Sequence, residues 1–464
     1  MRRQTPRPDA PADAVKDILP GEVVHTVRSP GFFMAAPSIW HPDRIPSDAL
    51  AKMQVSWRRG WFPPRPVRLC LLEDVFVAAQ GLVFTAALEV VQASIKEHPA
   101  GEVALARTAI QAALASGAMP RLRGEAVLCR KPGTRNYGHW LAEMLPRAWL
   151  AARHLPHPPL ILVQAVADPL RTVMRDSLAL LGIGTDQVLA SGPAPLRVDR
   201  LILVEGLTEH GLYMSPLVID CLDAVTAGIA PCGGPRLLVS RGAMPSRRFA
   251  DEAAVTGQAT GAGYGVLDPA SAPFRTQVAR FKAADRIIGA MGAALANLLF
   301  APAGADVFIA APAAMPDTFF WFIGGLRGLR AVDVRCRQEG PQLGPADWDR
   351  TIRLDQDDGA RIFTPAAPGR PAPPTAQAMG RTFEALFDPA YYLRRNPDVA
   401  AAEADPLLHY RTSGWREGRN PSAALDGNAY LRAHPDVADA GANPLFHYTL
   451  HGQAEGRAIS SVQA

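Results

Sequence analysis

The chain has 464 residues, of which 48% are hydrophobic and 20% charged, with a formal net charge of +4. That balance is globular rather than disordered, and the length exceeds one ordinary core, so two or three domains are expected. The charge is too mild for a nucleic-acid surface, and lysine occurs only at positions 16, 52, 96, 131 and 282, with no dense basic cluster.

Residues 1–20 are polar and Pro-broken and read as a flexible tail. The stretch 67–85, "VRLCLLEDVFVAAQGLVFT", predicts two strands around a turn at Gln80-Gly81, and 101–117 predicts a helix. "NYGHWLAEMLPRAWLA", 136–151, carries Leu141, Met144, Leu145 and Ala148 at helical spacing, with His139, Glu143 and Arg147 four apart beside them. Pro146 removes one helix N–H and predicts a bend. "PLILVQA" reads as a buried strand. A helix then opens at "DPLRT", with Asp168 as N-cap and Pro169 at its first position. "LRVDRLILVEG" reads as strands, and 215–229 as a helix.

A second alternating block begins at "PRLLVSR", 235–241. Phe274, Val278 and Phe281 form a core stripe on its first helix. Residues 286–312 read strand, glycine turn, helix, turn, strand, a βαβ unit. Two such blocks in series predict an α/β protein with two Rossmann-like domains facing a cleft, one over 21–234 with a β-rich lead-in and one over 235–363. A Pro/Ala-rich linker, 364–380, should be extended. Beyond it, Tyr392, Pro397, Pro406, His409, Gly414 and Gly418 recur 38 residues later as Tyr430, Pro435, Pro444, His447, Gly452 and Gly456. That offset predicts a module of two helical repeats over 381–461.

The five cysteines, Cys70, Cys129, Cys221, Cys232 and Cys336, form no CxxC pair, which argues against structural zinc and fits a reducing cytoplasm. No apolar run reaches signal-peptide or membrane-spanning length. The expected location is the cytoplasm, with attachment to the inner face of the membrane through a partner left open.

Three clusters carry the chemistry. The helix at His139 is the first. The second is "SRGAMPSRR", with Arg241 at a strand end and Ser246, Arg247 and Arg248 in the loop after it. The third is "GAMGAALANLL", a glycine turn opening a helix. Ligands of open α/β sheets sit beyond strand carboxyl ends, where helix N–H groups and arginine forks accept a diphosphate. No DxD stands near a strand end; Asp355, Asp357 and Asp358 read as a solvated turn. Each piece has a bland counterpart: a packing turn, a solvated loop, an i,i+4 ion pair between Glu143 and Arg147.

In their order, "NYGHWLAEMLPRAWL", "LLVSRGAMPSRR" and "GAMGAALANLLFAPAGADVFIAAP" resemble glycosyltransferase family 61 over about 120–315. That family contains plant arabinosyl and xylosyl transferases, an extracellular O-linked N-acetylglucosaminyltransferase and bacterial capsule or envelope polysaccharide proteins. The resemblance implies two Rossmann-like domains in a GT-B arrangement, a sugar-nucleotide donor, usually UDP-linked, and transfer with inversion. The tail repeats resemble units appended to bacterial glycosyltransferases, with envelope-polysaccharide assembly proteins as their partners. One departure stands out: the family's Gly-x-His-Gly pattern has Met291 in place of its histidine, which bears on donor identity and on activity.

The expectation is therefore a metal-independent, inverting transferase using no cofactor, moving a sugar from a nucleotide diphosphate to a glycan or lipid-linked glycan. Arg241 with Arg247 or Arg248 and the turn at Gly289, Gly292 and Ala293 would hold the donor, and Asn297 would either reach its ribose or phosphate or only cap or pack. His139 or Glu143 would be the base, with Arg147 orienting Glu143 and Asn136 a further candidate of the same motif; alternatively His139 only binds a substrate. A non-catalytic sugar-nucleotide or glycan-binding scaffold and, lowest, a dinucleotide-dependent enzyme remain as other classes. The glycine turn comes too late in its domain for the dinucleotide fingerprint.

Overall fold

The computed structural model describes residues 21–242, 244–342, 344, 346–364 and 371–462. The expected tail, 1–20, and residues 365–370 of the expected linker lie outside them. The chain forms two compact units, one containing Pro66–Leu207 and the chain up to Val27, the other Arg28–Arg65 and Thr208 onward. This division differs from a boundary at 234/235. The helix 217–226 and the segment 28–65 both go with the second unit.

In the first unit, β1 (Arg65–Ala78), β2 (Arg121–Cys129), β3 (Leu160–Gln164), β4 (Val188–Ser191) and β5 (Leu196–Glu205) form one sheet in the order β1-β5-β2-β3-β4. β5 is antiparallel to β1; β5, β2, β3 and β4 are mutually parallel. The expected turn after β1 is present: Gly81, at φ +110°, donates to Ala78 O at 3.0 Å. Helix α1 (Glu102–Ala115) precedes β2, α2 (Leu145–His154) follows it, and α3 (Leu170–Leu180) follows β3. Asp168 does not cap α3. Pro169 takes the cap position, and the Asp168 carboxylate accepts from Arg171 and from the Thr172 hydroxyl. The core is aliphatic, with Leu128, Leu162, Val198 and Leu201 among its fully buried members.

In the second unit, β6 (Arg236–Val239), β7 (Gly265–Leu267), β8 (Arg286–Ala290), β9 (Asp306–Pro312) and β10 (Arg330–Glu339) form a parallel sheet in the order β7-β6-β8-β9-β10. Counted along the chain this is 2-1-3-4-5, a doubly wound order whose direction reverses between β6 and β8. Helix α4 (Leu217–Thr226) is tied to this unit because Lys282, on α5 (Phe274–Ala283), donates to Thr226 O and Ile229 O at 3.0 and 2.7 Å. Phe274, Val278 and Phe281 are buried, as their spacing predicts. Helix α6 (Phe319–Arg327) leads into β10, and α7 (Gln356–Phe363) closes the core over Ile288, Phe308 and Val334.

The linker ends earlier than expected. Thr375 caps helix α8 (Ala376–Leu386) by accepting from Ala378 N at 3.2 Å, and Ala376, Met379 and Gly380 are buried. The apolar spacing of "AQAMGRTFEAL" is helical, and it prevails over composition once a surface is there to receive it. Both repeats build the same internal bond: Tyr392 hydroxyl to His409 Nδ1 at 2.9 Å, and Tyr430 hydroxyl to His447 Nδ1 at 3.0 Å. They share their core with Phe33, Trp61 and Phe383, so within the second unit they are not a freestanding module.

No helix among the described residues is long and apolar enough to cross a membrane.

Candidate active site

β6 ends at Val239 and delivers Ser240 and Arg241; the adjacent β8 ends at Ala290 and delivers Met291 and Gly292. Both turns therefore flank the point where the strand order reverses, at the carboxyl edge of the sheet, where doubly wound folds receive ligands. The half-buried Arg241 donates from Nε to Ser246 O at 2.8 Å, and from Nη1 and Nη2 to Met291 O and Ser246 Oγ, each at 3.4 Å. Neutral groups thus anchor it, and no carboxylate lies at ion-pair distance among the described residues. Burial first, then the neighbouring Arg247, pushes its pKa down to about 10, against weaker support from Asp349 and Glu252. It stays charged at neutral pH but is poorly solvated, the state in which an added anion gains most.

Gly292 is what lets that guanidinium sit there. A Cβ at 292 would lie 1.8 Å from Arg241 Nη1. Gly292 caps an eight-residue 3₁₀ helix, Ala293–Phe300, rather than the α-helix expected. Asn297, expected either to reach donor or only to cap or pack, lies on this helix. Asn297 is fully buried, and its Nδ2 donates to Gln277 Oε1 at 2.9 Å and Ala294 O at 3.0 Å. Gly289 lies inside β8, where a Cβ would crowd Val239 and Leu295 at 3.0 and 2.9 Å; its role is packing. Ala293 is half-buried at the helix start. Met291 is 2% exposed, so its side chain lies in the core while its carbonyl stands at the site.

Arg247, at φ +56°, reaches Met315 Sδ at 3.4 Å and lies 3.8 Å from Asp349. Arg248 contributes its carbonyl to Ile352 N at 2.8 Å, which ties this loop to the strand Thr351–Arg353. Sequence reasoning missed a neighbouring set around the loop after β9. Arg335, fully buried on β10, donates to Met315 O at 2.7 Å and to Asp333 Oδ2 at 2.5 Å. Burial raises the Asp333 pKa to about 6 despite Arg335. It also raises that of Asp317, which accepts from Phe319 N at 2.9 Å. The available signal was the i,i+2 pair of opposite charges inside the apolar run "AVDVRC".

In the first unit, Asn136 is a helix cap, its Oδ1 accepting from Gly138 N at 2.8 Å. The helix it opens widens into a π turn over Trp140–Met144 before continuing as α2. Pro146 sits in the next turn, and the wide turn accommodates its missing N–H. His139 Nδ1 lies 2.8 Å from Glu143 Oε2, and Lys131, at the end of β2, pairs with the same oxygen. Lys131 also meets Glu97 Oε2 at 2.5 Å. Glu143 and Lys131 are 2% and 7% exposed, so the cation compensates a buried carboxylate. With Glu143 ionised, Nδ1 is the donor and Nε2 carries the basic lone pair. Gly133, at φ +83°, passes under the ring; a Cβ there would lie 3.0 Å from His139 Nε2.

The expected Glu143–Arg147 pair is not formed. Lys131 and His139 hold Glu143, and the π turn breaks the simple four-residue register. Arg147 instead acts on the buried Cys129 thiol, whose pKa burial raises to about 12 against that cation. Lys131 and Glu97 were missed because their partners are far away in sequence.

Asp355 and Asp358 are not a solvated turn. Asp358 is 3% exposed and bonds His41 Nε2 at 2.8 Å, while Asp355 meets Arg44 at 2.5 Å. His41, Asp355 and Asp358 bring possible ligand atoms within 4.8 Å of one another, but the guanidinium on Asp355 opposes a divalent cation there.

Residues 137–308 match the family model Glycosyltransferase 61. The match implies a glycosyltransferase and spans His139, Glu143, Arg241 and Gly292. Lys131, Asp317, Asp333 and Arg335 lie outside the glycosyltransferase 61 stretch, as do both repeats. A comparison with curated proteins finds no match.

Proposed function

We propose that this glycosyltransferase is inverting and metal-independent, and that its donor is a nucleoside-diphosphate sugar, most simply UDP-linked. The observation that carries the reading is the desolvated Arg241 beside Gly292 at the strand-order reversal, within the family-matched stretch. In one displacement the acceptor oxygen bonds the anomeric carbon while the bond from that carbon to the diphosphate breaks. The electron pair leaves with the diphosphate, whose charge Arg241 and the N–H groups at Ala293 and Ala294 meet. The acceptor proton goes to a base, for which the first unit by itself offers His139 Nε2, its ring held in the basic tautomer by Glu143 and Lys131. Glu143 thus becomes a positioning residue and His139 the base. In this reading the acceptor is a glycan or lipid-linked glycan, and the expected location is still the cytoplasm.

The test is incubation with radiolabelled UDP-, GDP- and dTDP-sugars and an oligosaccharide mixture, with and without EDTA. Hydrolysis or transfer that survives EDTA is expected. Loss of activity in EDTA, restored by Mn²⁺, would overturn metal independence. Binding without turnover would favour the glycan-binding scaffold.

A further inference from the structure

The second unit carries a cavity of about 480 Å³ away from Arg241, lined among others by Asp220, Asp223, Lys282, Phe300, Arg327 and Thr375. Its place follows from topology. Lys282 precedes β8, Phe300 precedes β9, and Arg327 precedes β10, so the cavity lies at the amino edge of the sheet. Arg241 and Gly292 lie at the carboxyl edge. The four-residue step from Arg286 to Ala290 along β8 alone separates the two edges by roughly 13 Å, at about 3.3 Å per residue.

The lining decides the class of ligand. Two carboxylates and two cations cancel formally. Arg327 holds Asp223 at 2.6 Å and Lys282 is spent on two carbonyls, so neither is a loose charge. A phosphate would meet Asp220 and Asp223, and a divalent cation would meet Lys282 and Arg327. Asp220 is exposed on the rim of the cavity and makes no ion pair among the described residues, so its carboxylate oxygens are left to accept from a ligand. That suits hydrogen bonding to hydroxyls. Phe300 and Leu326 add an apolar wall, and the volume lies within the roughly 300–1,000 Å³ of small-molecule sites. A neutral ligand bearing many hydroxyls and one apolar face satisfies this set.

We propose that this cavity is a saccharide-binding subsite, separate from the donor site, that holds a neutral sugar residue of a glycan. The proposal stands on the cavity's own chemistry, independently of the reading of Arg241.

Saturation-transfer-difference NMR on the full chain tests it, using the methyl glycosides of glucose, galactose, mannose, xylose and N-acetylglucosamine. Two variants accompany the wild type: Asp220→Ala, which removes the acceptor, and Ala303→Trp, which fills the cavity from its exposed rim. At least one glycoside should give a signal that falls fivefold or more in both variants and persists in Arg241→Ala. UDP affinity, measured in parallel, should be unchanged in both cavity variants. The proposal is overturned if no glycoside gives a signal, if the signal survives both variants, or if Arg241→Ala abolishes it. Absence of UDP binding in the wild type would count against the donor site and leave the cavity result standing.

Discussion

Replacing Gly292 by alanine adds one methyl group at the place where the donor site is tightest. The Gly292 backbone is extended, at φ 170°, so alanine adopts it without strain, and any effect comes from space. The added Cβ would stand 1.8 Å from Arg241 Nη1 and 3.0 Å from its Cζ. Ordinary non-bonded contact needs about 3.5 Å, so the guanidinium must retreat by roughly 1.7 Å. That breaks its 3.4 Å bond to Met291 O and takes it off any phosphate it holds. A charge-assisted hydrogen bond contributes about 1.5–3 kcal/mol, so UDP affinity should drop roughly 10- to 100-fold. Because the methyl acts only through Arg241, the losses should not add: Gly292→Ala/Arg241→Ala should bind UDP no more weakly than Arg241→Ala alone. Calorimetry on the wild type, both single variants and the double variant reads this directly. Wild-type affinity in Gly292→Ala, or full additivity in the double variant, would refute the reasoning.

Three further outcomes follow from the same geometry. Glu143→Gln keeps the shape but removes the charge that fixes the His139 tautomer, so turnover should fall about 10²–10⁴-fold with UDP affinity unchanged; equal turnover would make the pair structural. Asp333 has a folded pKa of about 6, raised from 3.8, so its stabilising contribution is complete below about 4 and is lost as pH rises through 6. That loss amounts to at most about 3 kcal/mol, and denaturation midpoints of Asp333→Asn across this window should lack it. Ending the chain at Phe363 strips Phe383 and Phe446 from Phe33, which is 1% exposed, so the shortened protein should melt lower and aggregate; an unchanged melting temperature would restore the repeats as a separate module.

What was legible in the sequence was local. Strand, turn and strand around Gly81, the stripe of Phe274, Val278 and Phe281, and the arginine at the end of β6 follow from spacing over a few residues. So does the duplication read at an offset of 38 residues, and the two Tyr–His bonds stand at that same offset. What was misread depended on winding or on distance along the chain. Asn297 was left open between donor contact and packing, and its bond to Gln277, 20 residues earlier, has no local signal. Arg147 was paired with Glu143 across a stretch that becomes a π turn. Lys131 reaches Glu143 across 12 residues and Glu97 across 34, and no periodicity announces such a meeting. The linker was judged by proline content, whereas Met379 and Gly380 were answerable to Phe33 and Phe32, more than 300 residues earlier.

The two basic anchors of the carboxyl edge behave differently with pH, and that difference assigns them different work. Arg241, with a pKa of about 10, carries full charge throughout the neutral range and is held only by neutral oxygens. Its pull on an anion is therefore constant. Arg335 is bound to a carboxylate that titrates near 6, and through Met315 it shares a loop with Arg247. When Asp333 is protonated, Arg335 loses its counter-charge and the edge becomes more positive. When Asp333 is ionised, part of that field is cancelled. Diphosphate binding at this edge should thus have a floor set by Arg241 and an increment, present below pH 6, set by Asp333. UDP affinity measured from pH 5 to pH 8 separates the two. Arg241→Ala should lower the whole curve, and Asp333→Asn should flatten it at the acid-side level. A curve that keeps its wild-type slope in Asp333→Asn would place the pH response on the nucleotide itself.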